Sequence, residues 1–503
     1  MKIAIRVDAS KKIGTGHFMR CFTLGVALQK QGHFVRIVSR YMPEHLIEMI
    51  TNNGLDFKLM NFRGYDAQCG DLAHSSWLGV SQEVDAKDTL LSLNDKEWDC
   101  VVVDHYALDM KWEKILRESI KFVFVIDDLA DRRHECDVLL DQNLYSDMKT
   151  RYVGKVPSHC KLLLGPNFAL LRDDFLKMRK DAKLRDGNVN RLLVFFGGID
   201  ANNYTGQTIN ALVEYSFKEL KVDVVLGRQH QYLKEIKAVC EENDFNCFVE
   251  TNRMAELMLK ADMAIGAGGI SLWERCCLGL PTLVVSTAEN QYKQLVDSAN
   301  DGLVYFIEDK TDFIEKLNYH LRALIENNYL RKVISSKSLE TVDGRGLFRI
   351  MKSLTQGSVK VKVATMEDAK RIFQWRNHSD IRKASKNKNE ISWDEHFKWF
   401  TKQMQSDHCV PPLIGYLDDI AIGAVRFDIK GDRAEVSIYL APEKLGSGLG
   451  GSLLRSAELW LAENSENIIG IHANVLGENE RSGQMFLNSG YHIESVNYLK
   501  VLQ

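Results

Sequence analysis

The chain has 503 residues, too many for one ordinary domain and suited to about three units of roughly 150 residues. Apolar residues make up 45% of it, enough for several cores, and a formal net charge of −3 argues against a dedicated nucleic-acid binder, which would carry a basic face. The chain opens straight into a strand with no export signal, no apolar run approaches bilayer length, and ten scattered cysteines include no C-x-x-C pair. The expectation is a cytoplasmic protein with reduced structural thiols, no membrane contact and no metal site.

Residues 1–165 read as alternating strands and helices. Strands are expected at 2–7, 34–39, 57–60, 100–104, 122–127 and 138–141, with amphipathic helices between them, such as 17–31. Wholly apolar strands, Val101-Val102-Val103 and Val123-Phe124-Val125-Ile126, suit a parallel sheet covered on both faces. This is a doubly wound α/β unit, in which ligands bind beyond the carboxyl ends of the strands. The residues to examine there are Asp8, Asp104-His105-Tyr106, Asp127-Asp128 and Asn143. Residues from about 189 to 340 repeat the theme, with strands at 191–196, 222–226, 263–266 and 282–285. Glycine-bearing turns follow them, including Gly197-Gly198-Ile199-Asp200 and Ala267-Gly268-Gly269-Ile270. Two such units in succession predict a two-domain enzyme with a central cleft, divided as 1–165 and 166–353. The helix at 344–353 is expected to return to the first unit.

After the polar stretch 354–358 the pattern changes. From Val359 onward the order is strand, helices at 367–376 and 393–405, then consecutive strands at 412–416, 421–428 and 433–440. A glycine loop with a helix at 446–462 follows, and then strand, helix and strand. Consecutive strands before one glycine loop mark a separate α+β domain at 359–503.

In the first unit, Arg6-Val7-Asp8-Ala9-Ser10 leads through Gly14 and Gly16 to His17, where a helix begins. The positive helix end favours the neutral imidazole, the form that accepts a proton from water. His17 is a candidate general base beside a phosphate-bearing substrate, or an ordinary histidine at a β–α turn. Asp8 orients His17, binds a sugar hydroxyl, or caps the strand-end turn. In the second unit, the Gly268-Gly269-Ile270-Ser271 loop opens a helix whose N–H groups suit a diphosphate, with Glu274 placed for ribose hydroxyls. Ser271-x-x-Glu274 also reads as a capping box. Asn290-Gln291 bind sugar or phosphate, or cap the next helix.

Taken together, R-V-D-A-S…I-G-T-G-H-F-M-R, V-D-H-Y, G-G-I-D, G-A-G-G-I-S-L-W-E-R-C…G-L-P and E-N-Q resemble the UDP-sugar hydrolases of pseudaminic acid biosynthesis. The resemblance covers about the first 340 residues. That family is similar in fold to GT-B glycosyltransferases and releases UDP from a 2,4-diacetamido-2,4,6-trideoxy-altropyranose. The resemblance implies His17 as the base that activates water at the anomeric carbon, with Tyr106 and Asn290 as cleft contacts. It also implies a uridine diphosphate site at residues 268–271 and Glu274, with Gly16, Gly198 and Gln291 among the substrate-binding positions. UDP leaves readily, so its departure needs charge stabilisation more than a proton donor.

In the third unit, Leu445-Gly446-Ser447-Gly448-Leu449-Gly450-Gly451 between a strand and a helix forms an anion nest. With Asn479-Glu480-Arg481-Ser482-Gly483 to Tyr491, it resembles the GNAT acetyltransferases, whose loop binds the acetyl-CoA pyrophosphate. Leu445, Gly446, Gly448, Gly450 and Asn479 are the implied acetyl-CoA contacts. Leu445 stands where that family often has Gln or Arg, and Phe486 where it has its general-acid tyrosine, so the acid is unassigned. Glu435 is a base acting through water, or an exposed strand residue. W-R-N-H-S-D-I-R followed by I-S-W-D-E-H-F-K-W-F resembles GNAT enzymes that acetylate 4-amino groups of nucleotide-linked sugars. Trp393, Phe397 and Phe400 stack on the substrate or pack a helix face, and packing is the preferred reading.

The two resemblances imply one bifunctional enzyme that acetylates a UDP-linked 4-amino sugar and then removes UDP, and association with other enzymes of its pathway is a further expectation. The rivals are a GT-B glycosyltransferase with an accessory acetyltransferase, and a non-catalytic third unit that only binds sugar nucleotides.

Overall fold

The computed structural model describes residues 1–10, 12–60, 70–215, 217, 220–308, 310–354, 359–385, 387–405, 410–417, 419–465, 467–477 and 479–495. The chain divides into two compact units, Met1–Ala27 with His33–Ile350, and Met351–Gln503 together with Leu28–Gly32.

The first unit contains two parallel sheets. One runs β1 (Lys2–Val7), β2 (Phe34–Ser39), β3 (Asp56–Leu59), β4 (Cys100–Asp104), β5 (Phe122–Ile126), β6 (Val138–Asp141) and β7 (Lys161–Leu164), in spatial order 3-2-1-4-5-6-7. The other runs β8 (Arg191–Phe195), β9 (Lys221–Leu226), β10 (Asn246–Val249), β11 (Met263–Ala267), β12 (Thr282–Val285) and β13 (Tyr305–Ile307), in order 10-9-8-11-12-13. Strand order reverses at β1/β4 in the first sheet and at β8/β11 in the second. Those are the switch points at which such folds leave a crevice at the carboxyl ends.

Burial explains the apolar runs. On β8, Leu192 and Val194 join one core and Leu193 the other, and on β12 Leu283 and Val285 oppose Val284. Successive strand side chains point to opposite faces, and helices cover both, so the central positions of both faces are apolar. Two doubly wound, GT-B-like sheets are therefore present. Three strands, β7, β10 and β13, were not read from the sequence. The helix Gly346–Leu354 lies against residues just past β7, because Gly346 approaches the Ala169 carbonyl so closely that a Cβ would come within 2.4 Å.

The second unit holds a mixed sheet, β14 (Lys360–Val363), β15 (Leu413–Leu417), β16 (Ile420–Lys430), β17 (Arg433–Leu440) and β18 (Gly470–Ala473), in sequence order. Pairing is antiparallel except β17–β18, which is parallel. The helix Gly450–Asn464 covers one face through Leu453, Leu454, Ala457 and Leu461. Ile372, Trp375 and Phe400 cover the other. The expected final strand and the 355–358 linker lie outside the described residues.

The eight described cysteines are free thiols. Among the described residues, no helix is long and apolar enough to cross a membrane and no acidic, cysteine or histidine cluster is arranged for a metal.

Candidate active site and acetyl-CoA loop

β1 ends at Val7, the chain turns at Gly14 (φ +81°), and the helix Gly16–Lys30 begins, with His17 as its second residue. His17 Nδ1 lies 2.6 Å from Asp104 Oδ1, at the end of β4, the strand beside β1. Arg20, one turn along the helix, donates to the same carboxylate from Nε at 2.5 Å and Nη2 at 2.7 Å. Burial pushes the Asp104 carboxyl up, but Arg20 and His17 outweigh it and hold it well below the usual carboxylate range. An ionised acceptor at Nδ1 fixes the tautomer with its proton there and leaves the Nε2 lone pair free.

The network continues sideways. Arg20 Nη1 donates to Asp128 at 2.9 Å, and the Tyr106 hydroxyl donates to the other Asp128 oxygen at 2.5 Å. Burial, then Asp128, push the Tyr106 hydroxyl well above its ordinary value, so it stays a donor. Asn143 donates to Asp128 at 3.2 Å and accepts from Trp273 Nε1 of the second sheet's domain at 3.0 Å. Asn290 reaches the Tyr106 hydroxyl at 3.5 Å.

Of these residues, His17, Arg20, Tyr106, Asp128, Asn143 and Asn290 line a cleft of about 480 Å³ between the carboxyl ends of the two sheets, with Asp104 and Trp273 behind them. Of the expected residues, Gly16, His17, Tyr106, Gly269, Asn290 and Gln291 line it. Asp8, Gly198, Gly268, Ser271 and Glu274 are not among its described lining residues. Sequence reasoning did not single out Arg20, His74, Trp77, Gln142 or Gln294, which do line it.

Asp8 requires a correction. It does not touch His17. It is fully buried against Arg6, at 2.6 and 2.9 Å, and accepts from Ser39 Oγ and the Arg40 amide. The reason is strand geometry, because residues 6 and 8 share one face of β1. The residue beside His17 is Asp104, a strand-end aspartate visible in C-V-V-V-D.

The capping alternatives fail too. The helix Ile270–Cys277 has Gly269 (φ +81°) at its N-cap, so Ser271 lies inside the first turn and receives Arg275 Nη1 at 3.4 Å instead of pairing with Glu274. Glu274 is buried, with Arg172 Nε 3.8 Å away, and burial pushes its carboxyl up to about 7 against Arg172 and Arg275. Neither Asn290 nor Gln291 caps the helix Tyr292–Asn300 with its side chain, and Gln291 Oε1 accepts from Thr287. Gly198 packs under the neighbouring turn, its carbonyl 2.1 Å from where a Cβ on Gly227 would sit. Gly268 sits close behind the cleft, where an added Cβ would meet Leu295 and Gln291.

In the second unit, Gly446 and Gly448 both have φ +77°, and a Cβ at either would meet nothing within 4 Å. The loop backbone thus faces open space and runs into the helix at Gly450, a cradle that fits a pyrophosphate. Leu445 is exposed, and Asn479 caps the helix Glu480–Asn488 by accepting from Ser482 N at 3.2 Å. Phe486 is buried edge-on to Tyr491. Glu435 pairs with Lys430 at 2.9 Å and accepts from Asn474 at 2.6 Å. The packing reading fits Phe400, which is fully buried, whereas Trp393 and Phe397 are exposed and tilted against one another at 5.4 Å.

Comparison with known proteins bears on both units. The acetyltransferase (GNAT) domain model matches residues 361–497, and the glycosyltransferase family 28 C-terminal domain model matches residues 192–343. The chain is 24% identical to the uncharacterized protein MJ1062 of Methanocaldococcus jannaschii, over 98% of this chain and 96% of that one. It is 28% identical to the spore coat polysaccharide biosynthesis protein SpsG of Bacillus subtilis, over 47% of this chain and 70% of that one. It is 21% identical to the UDP-2,4-diacetamido-2,4,6-trideoxy-beta-L-altropyranose hydrolase of Campylobacter jejuni, over 53% of this chain and 84% of that one. The chain thus resembles that hydrolase over about half its length. It joins a GT-B-like, sugar-nucleotide-related pair of domains to an acetyltransferase domain.

Proposed function

We propose that the first unit hydrolyses a UDP-linked 2,4-diacetamido-2,4,6-trideoxy-altropyranose and that the second acetylates its UDP-linked 4-amino precursor with acetyl-CoA. The observation that carries the hydrolytic half is the His17–Asp104 pair opening onto the cleft opposite the Gly269 helix start. His17 Nε2 takes a proton from water as the water oxygen bonds to the anomeric carbon. The bond from that carbon to the diphosphate oxygen breaks, and UDP leaves with the electron pair. Asp104 steadies the imidazolium that forms, and Arg20 holds Asp104. The N–H groups at the start of the Ile270–Cys277 helix face the departing diphosphate and spread its charge.

In the second unit, the Leu445–Gly450 loop would hold acetyl-CoA by its pyrophosphate, and the thioester supplies the acetyl group. The 4-amino nitrogen attacks the thioester carbonyl and CoA departs as a thiolate. We assign to Glu435, which pairs with Lys430 and accepts from Asn474, the receipt of the amine's proton through water.

The test is to supply the UDP-linked 4-amino sugar with acetyl-CoA and follow CoA and UDP. The expected result is CoA release followed by UDP release, with His17→Ala losing the second and keeping the first. UDP release at the normal rate from His17→Ala sinks the assignment of the base. A UDP release that depends on an added sugar acceptor points to glycosyl transfer instead.

A further inference from the structure

One wall of the cleft takes no part in water activation. Between β3 and the helix Gln82–Ser92, the chain brings His74 and Trp77 to the cleft beside Tyr106. Trp77 stacks on Tyr106 with ring centroids 5.6 Å apart. His74 lies 4.6 Å from Trp77 and 5.1 Å from Tyr106. The His17 ring is 4.5 Å from Tyr106 and 6.3 Å from Trp77. Lys12 Nζ bonds Ser76 Oγ at 2.8 Å, tying this segment to the glycine loop that precedes His17.

The wall is apolar in character. His74 Nδ1 is buried with no partner among the described residues, and burial pushes the ring's pKa down, so it presents no charge. Aromatic faces cannot satisfy hydroxyl groups in the way the amides on the cleft's other sides can. A surface so close to the base must lie against the group that carries the reacting carbon, which is the sugar rather than the nucleotide. A fully hydroxylated hexose would bury hydroxyls against it unpaired, at a penalty. A deoxygenated, N-acetylated sugar presents methyl groups instead.

We propose that Trp77 and His74 form the subsite for the methyl-bearing substituents of the sugar, and so select an N-acylated deoxy sugar nucleotide over a hydroxylated one. This rests on the hydrolytic reading above and adds to it the residues that choose the sugar.

The experiment compares wild type, Trp77→Ala and Trp77→Phe on UDP-2,4-diacetamido-2,4,6-trideoxy-altropyranose and on UDP-N-acetylglucosamine, which keeps its 6-hydroxyl. Losing a methyl-sized contact in an apolar pocket changes discrimination about 10–200-fold. Trp77→Ala is expected to raise KM for the diacetamido sugar by at least about tenfold, with kcat changed by less than about threefold, and to narrow the preference over UDP-N-acetylglucosamine equally. Trp77→Phe keeps a smaller aromatic face and is expected to fall between wild type and the alanine variant, and where the alanine variant folds poorly the emission readout below carries the test. Unchanged KM in Trp77→Ala, or equal losses on both sugars, overturns the proposal.

A second readout does not need turnover. The emission attributable to Trp77, taken as wild type minus Trp77→Phe, should be quenched by the diacetamido sugar nucleotide and not by UDP alone. A response to UDP alone overturns the subsite. Should wild type release no UDP from either sugar, the hydrolytic reading fails, while the selective quench still supports the wall and its absence still overturns it.

Discussion

At the residue scale, two aspartates at the ends of the neighbouring strands β1 and β4 have opposite duties. Asp104 touches His17, so Asp104→Asn removes the charge that stabilises the imidazolium. It should lower kcat for UDP release by about 10²–10⁴-fold, as should His17→Ala, with CoA release as the control. Asp8 faces Arg6 in a fully buried ion pair. Asp8→Asn leaves that guanidinium only the Asp85 carboxylate, and urea unfolding should show a loss of about 1–3 kcal/mol. A large loss of kcat in Asp8→Asn with stability intact would reverse these assignments.

Glu274 supplies a pH-dependent prediction. Its carboxyl is raised from an ordinary 4.5 to about 7, so the protonated form is favoured on folding. The associated stability is fully present below about 4.5 and is lost as pH rises through about 7, amounting to about 3 kcal/mol. Glu274→Gln should therefore gain stability over wild type at pH 8 and gain none at pH 4. Equal midpoints at both pH values would show that the carboxyl is not desolvated as described. His17, Tyr106 and Asn290 were legible because strand ends and glycine turns mark where a doubly wound sheet presents ligands. Trp77 and His74 were not, because an aromatic in a connecting segment has the same local signature whether it packs inward or faces a cleft.

At the element scale, close packing explains which glycines are fixed. A Cβ on Gly266 would sit 2.2 Å from the Phe195 carbonyl oxygen, across the β8–β11 pair. Backbone cannot yield as a flexible side chain can, so Gly266→Ala should destabilise by about 1–3 kcal/mol or more, read as a lower urea midpoint at an unchanged slope. The strands missed from the sequence are short and half-buried. β10 reads Asn246-Cys247-Phe248-Val249 with no fully buried position, and β13 has three residues. Short edge strands carry too little periodicity to stand out from loop. The apparent capping box at Ser271 fails because Gly269, not Ser271, takes the N-cap. Which residue starts a helix is set by where the preceding strand ends and the chain must turn.

At the scale of the whole molecule, the two chemistries should separate by substitution. Gly448 has φ +77°, a conformation that costs a β-branched residue roughly 1–3 kcal/mol. Gly448→Val should raise the acetyl-CoA KM and leave UDP release from the preformed diacetamido sugar nucleotide untouched, the mirror image of His17→Ala. Loss of both activities together would mean that the two units do not act independently.

The length, the apolar strands, the glycine turns and the change of pattern after residue 353 determined by themselves that two doubly wound sheets precede an α+β domain. Those features are periodic and local, and local periodicity is what a sequence carries. The tertiary structure alone decided which aspartate meets His17, that Glu274 is buried, and that Trp77 and His74 close on the base. Each of these depends on segments tens of residues apart, brought together by strand order. Desolvation, which raises the Glu274 carboxyl, and the Arg20 and His17 contacts, which keep Asp104 ionised, exist only once the surrounding chain has folded around them.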